Sequence, residues 1–320
     1  MKSILFRCDS SSQLGVGHVT RCLALAQVFY LNNWNVVFSG NFQFPTCHNK
    51  MLKDYSNYIF ESVEDTNIQK SNYDLVVFDN YSIKSMELAN LKKLGNKTLS
   101  IVDSYSPNLK TDFYTSTLPI WYLPNFQSIK NGLFGFEYAL IRQEIIQAPK
   151  FKKGPVSGCE TLALFSGGSS NAEFIELILS QVSSIVGKRK IKIFSNDDFL
   201  KSKYKGLTNI EITPQKSNFF NDLSDIDLVI SPASVSSWEF LYLRFPLALY
   251  GIYENQQSTY KYFIDNDLAF GLGVTHDYKK FIINKSEFDN ALNFPETKII
   301  NSKIDALGAN RVYEEIIKSL

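Results

Sequence analysis

Histidine, cysteine and net charge are all scarce in this chain, and each scarcity excludes a class of function. Only three histidines and four cysteines occur in 320 residues. None of the cysteines forms a Cys-x-x-Cys pair, so no zinc site is expected and the thiols are expected to be reduced. The formal net charge is +1, which gives no general affinity for nucleic acid, and no nucleic-acid partner is expected.

Long apolar runs are also missing. No segment approaches the roughly 20 apolar residues that span a bilayer. The N-terminal residues lack the apolar core of a signal peptide. We therefore expect a soluble, cytoplasmic protein with no membrane span.

The composition and the short apolar runs predict a globular α/β protein. With 320 residues, of which 44% are hydrophobic and 20% charged, the chain is long enough for two domains. Short apolar runs bounded by polar residues are typical of buried parallel strands, and helical stretches alternate with them. Strands are predicted at 4–6, 36–39, 75–78, 98–102, 161–165, 190–194, 227–230 and 246–250. Helices are predicted at 19–31, 86–94, 172–182, 235–242 and 303–320.

The alternation of strands and helices stops at residues 147–155, which are rich in Pro, Gly and Lys, and then restarts. This segment is the predicted linker. We therefore predict two Rossmann-like domains, 1–150 and 151–320, facing across a cleft. The last helix is amphipathic and is predicted to cross back to the N-terminal domain. A monomer is expected.

The stretch from Arg7 to Arg21 carries the strongest functional signal. An apolar strand leads into a polar loop that contains Gly15 and Gly17, and a helix begins at His18. A strand–loop–helix unit of this kind directs backbone N–H groups and a helix N-terminus toward an anion. The glycines would also be needed if they only shaped the turn. An imidazole at the start of the helix is suited to general base catalysis near neutral pH.

Polar side chains follow neighbouring strands and are predicted to lie on the same sheet edge as His18. They are Asp9 after the first strand, Asp79, Asn80 and Tyr81 after the third, and Asp103 after the fourth. The carboxyl edge of a parallel sheet is where ligands bind. An Asp at a strand end can also only cap a turn. We predict a polar pocket here, in which Asp9 is the second catalytic candidate and Asp103 is the other group able to accept a proton.

Three loops in the second half are the predicted nucleotide-binding elements. Their candidate residues are Gly167, Gly168 and Ser169 in a Gly loop, Ser236, Ser237 and Glu239 at a helix start, and Asn255 and Gln256 after a strand. Backbone N–H groups and serine hydroxyls donate to a diphosphate, and a carboxylate accepts from two ribose hydroxyls. Each loop also has a structural interpretation as a turn, a helix cap or a solvated loop. Their common position at one sheet edge favours a binding site.

These motifs resemble the nucleotide-sugar hydrolase family of pseudaminic acid biosynthesis, whose members remove UDP from UDP-2,4-diacetamido-2,4,6-trideoxy-β-L-altrose. The matching positions are Arg7, Asp9, Gly15, Gly17, His18, Arg21, residues 79–81, residues 138–142, residues 237–239, Asn255 and Gln256. The resemblance implies a GT-B fold, a UDP-sugar substrate, and inverting attack of water on the anomeric carbon with His18 as the base. No metal or other cofactor is implied.

The resemblance also implies which domain holds which part of the substrate. The nucleotide would bind to the C-terminal domain and the sugar to the N-terminal domain. The sugar-binding candidates are Arg7, Gly15, Gly17, Arg21, Asn80, Tyr81, Asp103 and Arg142.

The chain departs from the family pattern in both halves. Asn80 replaces a histidine, Ser104 replaces an aspartate, and Ala233 and Ser234 stand where two glycines are usual. The loop after Gly167 and Gly168 also lacks the usual Asp-Pro. Two other functions therefore stay open. One is an inverting glycosyltransferase in which His18 deprotonates a sugar hydroxyl, and the other is a catalytically silent binder of nucleotide sugars. Release of UDP in the absence of an acceptor distinguishes the three.

Overall fold

A computed structural model describes most of the chain. The described residues are 1–11, 15–42, 58–61, 72–81, 83, 85–104, 106–130, 132–151, 159–167, 172–214, 219–293 and 304–320. They form two compact units, one from Met1–Ile146 together with Lys303–Leu320, and one from Gln147–Ser302. None of the described helices is long and apolar enough to cross a membrane.

The first unit is built on a parallel sheet with helices around it. Its described strands are β1 (Ser3–Cys8), β2 (Asn35–Ser39), β3 (Ile59–Glu61), β4 (Tyr73–Asp79), β5 (Gly95–Ile101), β6 (Phe113–Ser116) and β7 (Gly132–Phe134). Its helices before residue 148 are α1 (Gly17–Leu31), α2 (Ser85–Lys92) and α3 (Gln143–Gln147). The strand order is β3-β2-β1-β4-β5-β6-β7, and each neighbouring pair is parallel.

The strand order of the first unit reverses between β1 and β4. From β1 the chain runs outward to β2 and β3, and it then returns to the other side of β1 to place β4. Such a reversal opens a crevice at the carboxyl ends of the two central strands, where ligands of open α/β sheets bind. The loop that leads into α1 leaves β1 at this point.

The second unit repeats the arrangement. Its described strands are β8 (Thr161–Phe165), β9 (Lys190–Phe194), β10 (Ile210–Thr213), β11 (Leu228–Pro232), β12 (Leu247–Gly251) and β13 (Phe270–Val274). Its helices are α4 (Ala172–Val186), α5 (Asp198–Lys203), α6 (Val235–Tyr242), α7 (Gln257–Asp265) and α8 (Lys285–Leu292). The parallel sheet has the order β10-β9-β8-β11-β12-β13, so the reversal lies between β8 and β11.

The last described helix, α9 (Gly308–Ile317), belongs to the first unit. It is shorter than the predicted helix at 303–320. Val312 and Ile316 are fully buried in the same core as residues of α1, and the ring of Tyr313 lies edge-on to Phe29 at 5.0 Å. Burial of each of these aliphatic side chains contributes about 1.5–3 kcal/mol. The helix therefore completes the core on which α1 rests.

Gly308 allows α9 to approach the rest of its unit closely. A Cβ atom at this position would lie 2.3 Å from the carbonyl oxygen of Ala139 and 2.5 Å from the carbonyl carbon of Tyr138. Arg311 donates from Nη1 to the carbonyl oxygen of Glu137 at 2.8 Å. The helix start is thus fixed against the backbone of residues 137–139.

Candidate active site

His18 is held at the reversal point of the first sheet by the geometry of β1, β4 and α1. Residue 18 is the second residue of α1. Asp79 is the last residue of β4 and stands beside Cys8 of β1 in the parallel register. Nδ1 of His18 lies 2.5 Å from Oδ1 of Asp79, and both side chains are buried. The pair joins residues 61 positions apart in sequence.

Arg21, one helical turn after His18, fixes the charge of Asp79. Its Nε and Nη2 atoms donate to Oδ2 and Oδ1 of Asp79 at 2.5 Å each. Burial by itself raises the pKa of Asp79, but the charge of Arg21, helped by His18, outweighs it and holds that pKa below its ordinary value. Burial likewise lowers the pKa of Arg21, and Asp79 more than offsets it, so that pKa lies well above the ordinary value. Both groups are therefore ionised.

The ionised Asp79 determines which ring nitrogen of His18 carries the proton. A carboxylate only accepts hydrogen bonds, so the short contact at Nδ1 requires an N–H there. The neutral ring then keeps its lone pair on Nε2. Within the described residues, the short hydrogen bond of this ring is made at Nδ1. A histidine whose Nδ1 is oriented by a carboxylate and whose Nε2 keeps a lone pair is suited to act as a general base.

Tyr81 and Asp103 surround the imidazole on the other side. The hydroxyl of Tyr81 donates to Oδ2 of Asp103 at 2.5 Å, and Nη1 of Arg21 donates to the same oxygen at 3.2 Å. The rings of Tyr81 and His18 meet edge-on, with centroids 4.4 Å apart. Ser106 donates to Oδ1 of Asp103 at 3.2 Å. The predicted residues His18, Arg21, Tyr81 and Asp103 thus form one connected cluster.

Asp9 lies in a second cluster of the same unit. Its Oδ1 accepts from Nη1 of Arg7 at 2.6 Å and from the backbone N–H of Asn41 at 2.8 Å. Its Oδ2 accepts from Nδ2 of Asn80. Arg7 also donates from Nε to Glu87 at 2.7 Å. Through these contacts Asp9 joins β1 to the ends of β2 and β4. Its catalytic role stays a prediction.

The remaining candidates of the first unit are two glycines before α1 and an arginine before α3. Gly15 has φ +72°, a value that favours glycine, and its N–H donates to the carbonyl of Ser11 at 2.8 Å. Gly17 begins α1. Arg142 is buried just before α3, and its carbonyl accepts from the N–H groups of residues 145 and 146.

The role of Asp79 is the part of this site that the sequence did not assign. The sequence places it at the correct sheet edge, but the choice between Asp9 and Asp79 as the partner of His18 depends on contacts across 61 residues. The available signal is position in the strand. Asp79 is the last residue of β4, directly beside β1, whereas Asp9 is already past the end of β1. Cys22 adds a further donor, with its Sγ 3.7 Å from Oδ2 of Asp79.

In the second unit, the Gly loop is described as far as Gly167. Gly168 and Ser169 lie outside the described residues. Gly167 has φ +82°, and a Cβ atom there would lie 3.1 Å from Cγ of Pro232. The hydroxyl of Ser166, just before it, is buried and has no hydrogen-bond partner among the described residues. An unsatisfied buried hydroxyl at the carboxyl end of β8 is a place where a polar ligand atom would be stabilised.

The two candidate serines of α6 have different surroundings. The hydroxyl of Ser237 is fully buried, accepts from the N–H of Ser234 at 2.8 Å and lies 3.0 Å from the carbonyl of Pro232. It therefore stabilises the helix start from inside. Ser236 is half-buried, and its hydroxyl lies 3.0 Å from the hydroxyl of Ser234. Of the two, Ser236 is placed to meet a ligand.

The other three nucleotide candidates lie near the same sheet edge. Glu239 is buried within α6. Gln256 is buried, and its Oε1 accepts from the N–H of Ile252 at 2.9 Å, so its amide oxygen holds the loop after β12. Asn255, in the same loop, is half-buried. Asn255 is therefore the more accessible of the two amides.

Comparison with known proteins finds two relatives, which match different lengths of the chain. No protein-family model matches the chain. It is 30% identical over 154 residues to the UDP-2,4-diacetamido-2,4,6-trideoxy-beta-L-altropyranose hydrolase of Campylobacter jejuni, a match that covers 46% of this chain and 54% of that protein. It is 22% identical over 312 residues to an uncharacterized protein of Methanocaldococcus jannaschii, covering 88% of this chain and 63% of that protein. The chain thus spans less than two thirds of the length of either relative.

Solved structures resemble the chain along nearly its whole length. MurG of Acinetobacter baumannii superposes with a TM-score of 0.64 at 14% identity, covering 99% of this chain and 100% of MurG. A structure from Listeria monocytogenes assigned as a UDP-N-acetylglucosamine 2-epimerase gives 0.66 at 13% identity, covering 100% and 97%. A glycosyltransferase of Rickettsia africae gives 0.59 at 14% identity, covering 100% and 99%. These likenesses identify the fold: two parallel-sheet α/β units of the GT-B type.

Proposed function

We propose that this protein is a hydrolase that releases UDP from a UDP-linked diacetamido-trideoxy sugar. The observation that carries the proposal is the His18–Asp79 pair at the reversal point of the first sheet, with Nδ1 hydrogen-bonded and Nε2 left to accept a proton. The Campylobacter relative, which carries that activity in its name, supports the substrate class. The free sugar would then serve the synthesis of a nonulosonic acid such as pseudaminic acid.

The proposed reaction is a single displacement at the anomeric carbon. Nε2 of His18 takes a proton from water, the water oxygen bonds to the anomeric carbon, and the bond from that carbon to the phosphate oxygen breaks. Asp79 stabilises the imidazolium that forms and does not itself become protonated. Attack from the face opposite the leaving group inverts the configuration.

The nucleotide is assigned to the second unit. The Gly167 turn, the unsatisfied Ser166 hydroxyl and Ser236 at the start of α6 are the donors proposed for the diphosphate. Glu239 is proposed as the acceptor for the ribose hydroxyls. Donors and helix N-termini that hold the diphosphate charge make UDP a better leaving group.

A glycosyltransferase is the second candidate. It is favoured by the full-length structural likeness to MurG and to the Rickettsia glycosyltransferase, whereas the hydrolase relative matches less than half of the chain. The same base would then deprotonate a sugar hydroxyl instead of water.

Release of UDP in the absence of any acceptor tests the proposal. The purified protein is mixed with UDP-2,4-diacetamido-2,4,6-trideoxy-β-L-altropyranose in water enriched in ¹⁸O. A hydrolase releases UDP and places the heavy oxygen on the sugar. Release that requires an added sugar acceptor would instead establish the transferase.

The variant His18→Asn links that activity to the proposed base. Turnover should fall by about 10²–10⁴-fold, the usual contribution of a positioned base. Affinity for UDP, measured by calorimetry, should stay nearly unchanged, because the nucleotide is assigned to the second unit. A variant that keeps more than about a tenth of the wild-type rate would remove His18 from this role.

A further inference from the structure

Trp121 is a highly exposed aromatic side chain of the first unit. It is 70% exposed, whereas the other two tryptophans, Trp34 and Trp238, are 4% and 6% exposed. Ile120 and Tyr122 beside it are half-buried. The indole therefore leaves a large apolar surface in contact with water that a bound ligand would cover.

The backbone that carries Trp121 is rigidly held. It lies in a 3₁₀ turn, Ile120–Tyr122, that begins after Pro119 and is followed directly by a second turn, Pro124–Phe126. The N–H groups of residues 122 and 123 donate to the carbonyls of residues 119 and 120, both at 2.9 Å. Leu118, Leu123 and Phe126 anchor the segment in the interior. The indole is thus attached to a backbone segment that is fixed by hydrogen bonds and by buried side chains.

The position of the turn is the second observation. It follows β6, whose carboxyl end is at the same sheet edge as the His18 cluster because every strand of this sheet is parallel. The N–H of Val102 donates to the carbonyl of Thr115 at 2.9 Å, so the end of β6 is joined to the segment that carries Asp103. From β4 to β6 is two strand spacings, about 10 Å.

We propose that Trp121 is a sugar-binding residue, against which the apolar face of the glycosyl ring of the substrate stacks. This inference rests on the proposed function and adds a contact for the sugar in the unit that carries the base. A rigid aromatic ring presents a large apolar surface at a low cost in side-chain entropy. The hydrogen-bonding groups of the His18 cluster would meet the hydroxyl and acetamido groups, while Trp121 covers a C–H face.

Fluorescence quenching by acrylamide tests the contact directly. Trp121 is the tryptophan accessible to acrylamide, and Trp121→Phe identifies its part of the signal. UDP-N-acetylglucosamine at saturation should reduce the quenching constant of the wild-type protein by at least about half, because the bound sugar removes the ring from solvent. UDP alone should leave that constant nearly unchanged. Equal effects of the two ligands, or no effect of either, would overturn the inference.

Steady-state kinetics with the UDP-sugar that the protein hydrolyses give a second readout. Trp121→Ala should raise KM by about fivefold or more, with the loss falling on KM more than on kcat, and Trp121→Phe should recover most of the affinity. The matched control is Ile282→Ala, which truncates an 80% exposed apolar side chain of the second unit and should change neither constant. Equal KM values for Trp121→Ala and Ile282→Ala would contradict a sugar contact.

The proposed function can fail without this inference failing. If no UDP is released but UDP-N-acetylglucosamine protects Trp121 from acrylamide, the hydrolase proposal is wrong and the sugar contact stands. If the substrate is hydrolysed but Trp121 stays accessible to acrylamide in the complex, the sugar contact is wrong and the hydrolase proposal stands.

Discussion

The position of one proton on His18 determines what this site can do. The carboxylate of Asp79 accepts from Nδ1, and Arg21 keeps that carboxylate ionised by two short contacts. If the proton moved to Nε2, the ring would present a donor to water and could not remove a proton from it. The chemistry proposed for His18 therefore depends on the charge of Asp79.

Asp79→Asn tests this dependence. An amide can donate to Nδ1 and so favour the tautomer with the proton on Nε2, and we expect kcat to fall by about 10²–10⁴-fold. UDP affinity measured by calorimetry should stay close to the wild-type value. Because the loss of a buried charge can also destabilise the fold, the melting temperature is measured in parallel.

A matched control exists in the same sheet. Asp112 accepts from the N–H and hydroxyl of Thr98 at 2.8 and 2.6 Å, so it is a structural carboxylate. Asp112→Asn should lower stability without a selective loss of kcat. If both variants lose kcat only in proportion to folded protein, Asp79 has no role in orienting the base.

For individual residues, the sequence predicted which side chains lie at the carboxyl edge of the sheet. It did not predict which of them contact one another. His18, Tyr81 and Asp103 were predicted to share one pocket, and Arg21 was predicted to bind the substrate. The structure brings these four together. Asn80 was predicted for the same pocket, and in the structure it contacts Asp9. The partner of His18 could not be chosen, because that choice depends on the register of two strands that are distant in sequence. Which of the two adjacent serines faces outward was equally hidden, since it depends on the contacts that Ser237 makes with Ser234 and Pro232.

At the start of α6, substitutions can separate a serine that stabilises the helix from one proposed to bind UDP. Ser237→Ala removes a buried hydroxyl from the helix start and should lower stability by about 0.5–2 kcal/mol with little change in UDP affinity. Ser236→Ala should do the reverse, weakening UDP binding by about 0.5–1.5 kcal/mol at unchanged stability. Denaturant unfolding and calorimetry on both variants measure the contrast. Identical behaviour of the two variants would contradict it.

Helix α9 provides a prediction on packing between elements. Gly308→Ala places a methyl group within 2.3 Å of a carbonyl oxygen of the facing backbone, so the helix must shift. We expect a loss of about 1–3 kcal/mol in the free energy of unfolding. Asn310→Ala, an exposed position on the same helix, should be neutral or slightly stabilising. A Gly308→Ala protein as stable as the wild type would show that α9 is loosely packed.

Central elements were predicted better than edge elements. The strands at 161–165 and 190–194 and the helix at 235–242 have the predicted bounds. The strands β3, β6, β7, β10 and β13 were not predicted. They are short or interrupted by glycine and polar residues, and they owe their conformation to pairing with a neighbour already in place.

For the molecule as a whole, Asp79 sets one limit on the pH range in which the fold is stable. The pKa of Asp79 lies below its ordinary value, so its contribution to stability is complete above about pH 4 and is lost only as the pH falls through the lowered value. Between pH 8 and 5 the free energy of unfolding should therefore show no loss that depends on Asp79. Denaturant unfolding of the wild-type protein and of Asp79→Asn over this range measures it. A difference between the two proteins that disappears within this range would contradict an ionised Asp79.

The first unit is made of two chain segments that are separated in sequence by the whole of the second unit. Residues 304–320 complete the core beneath α1, yet the whole of the second unit is translated before them. The core beneath α1, the helix that carries His18, therefore cannot be completed until the last residues of the chain have been made. Premature termination shortly before Gly308 would leave the second unit complete and would open the core on which α1 rests.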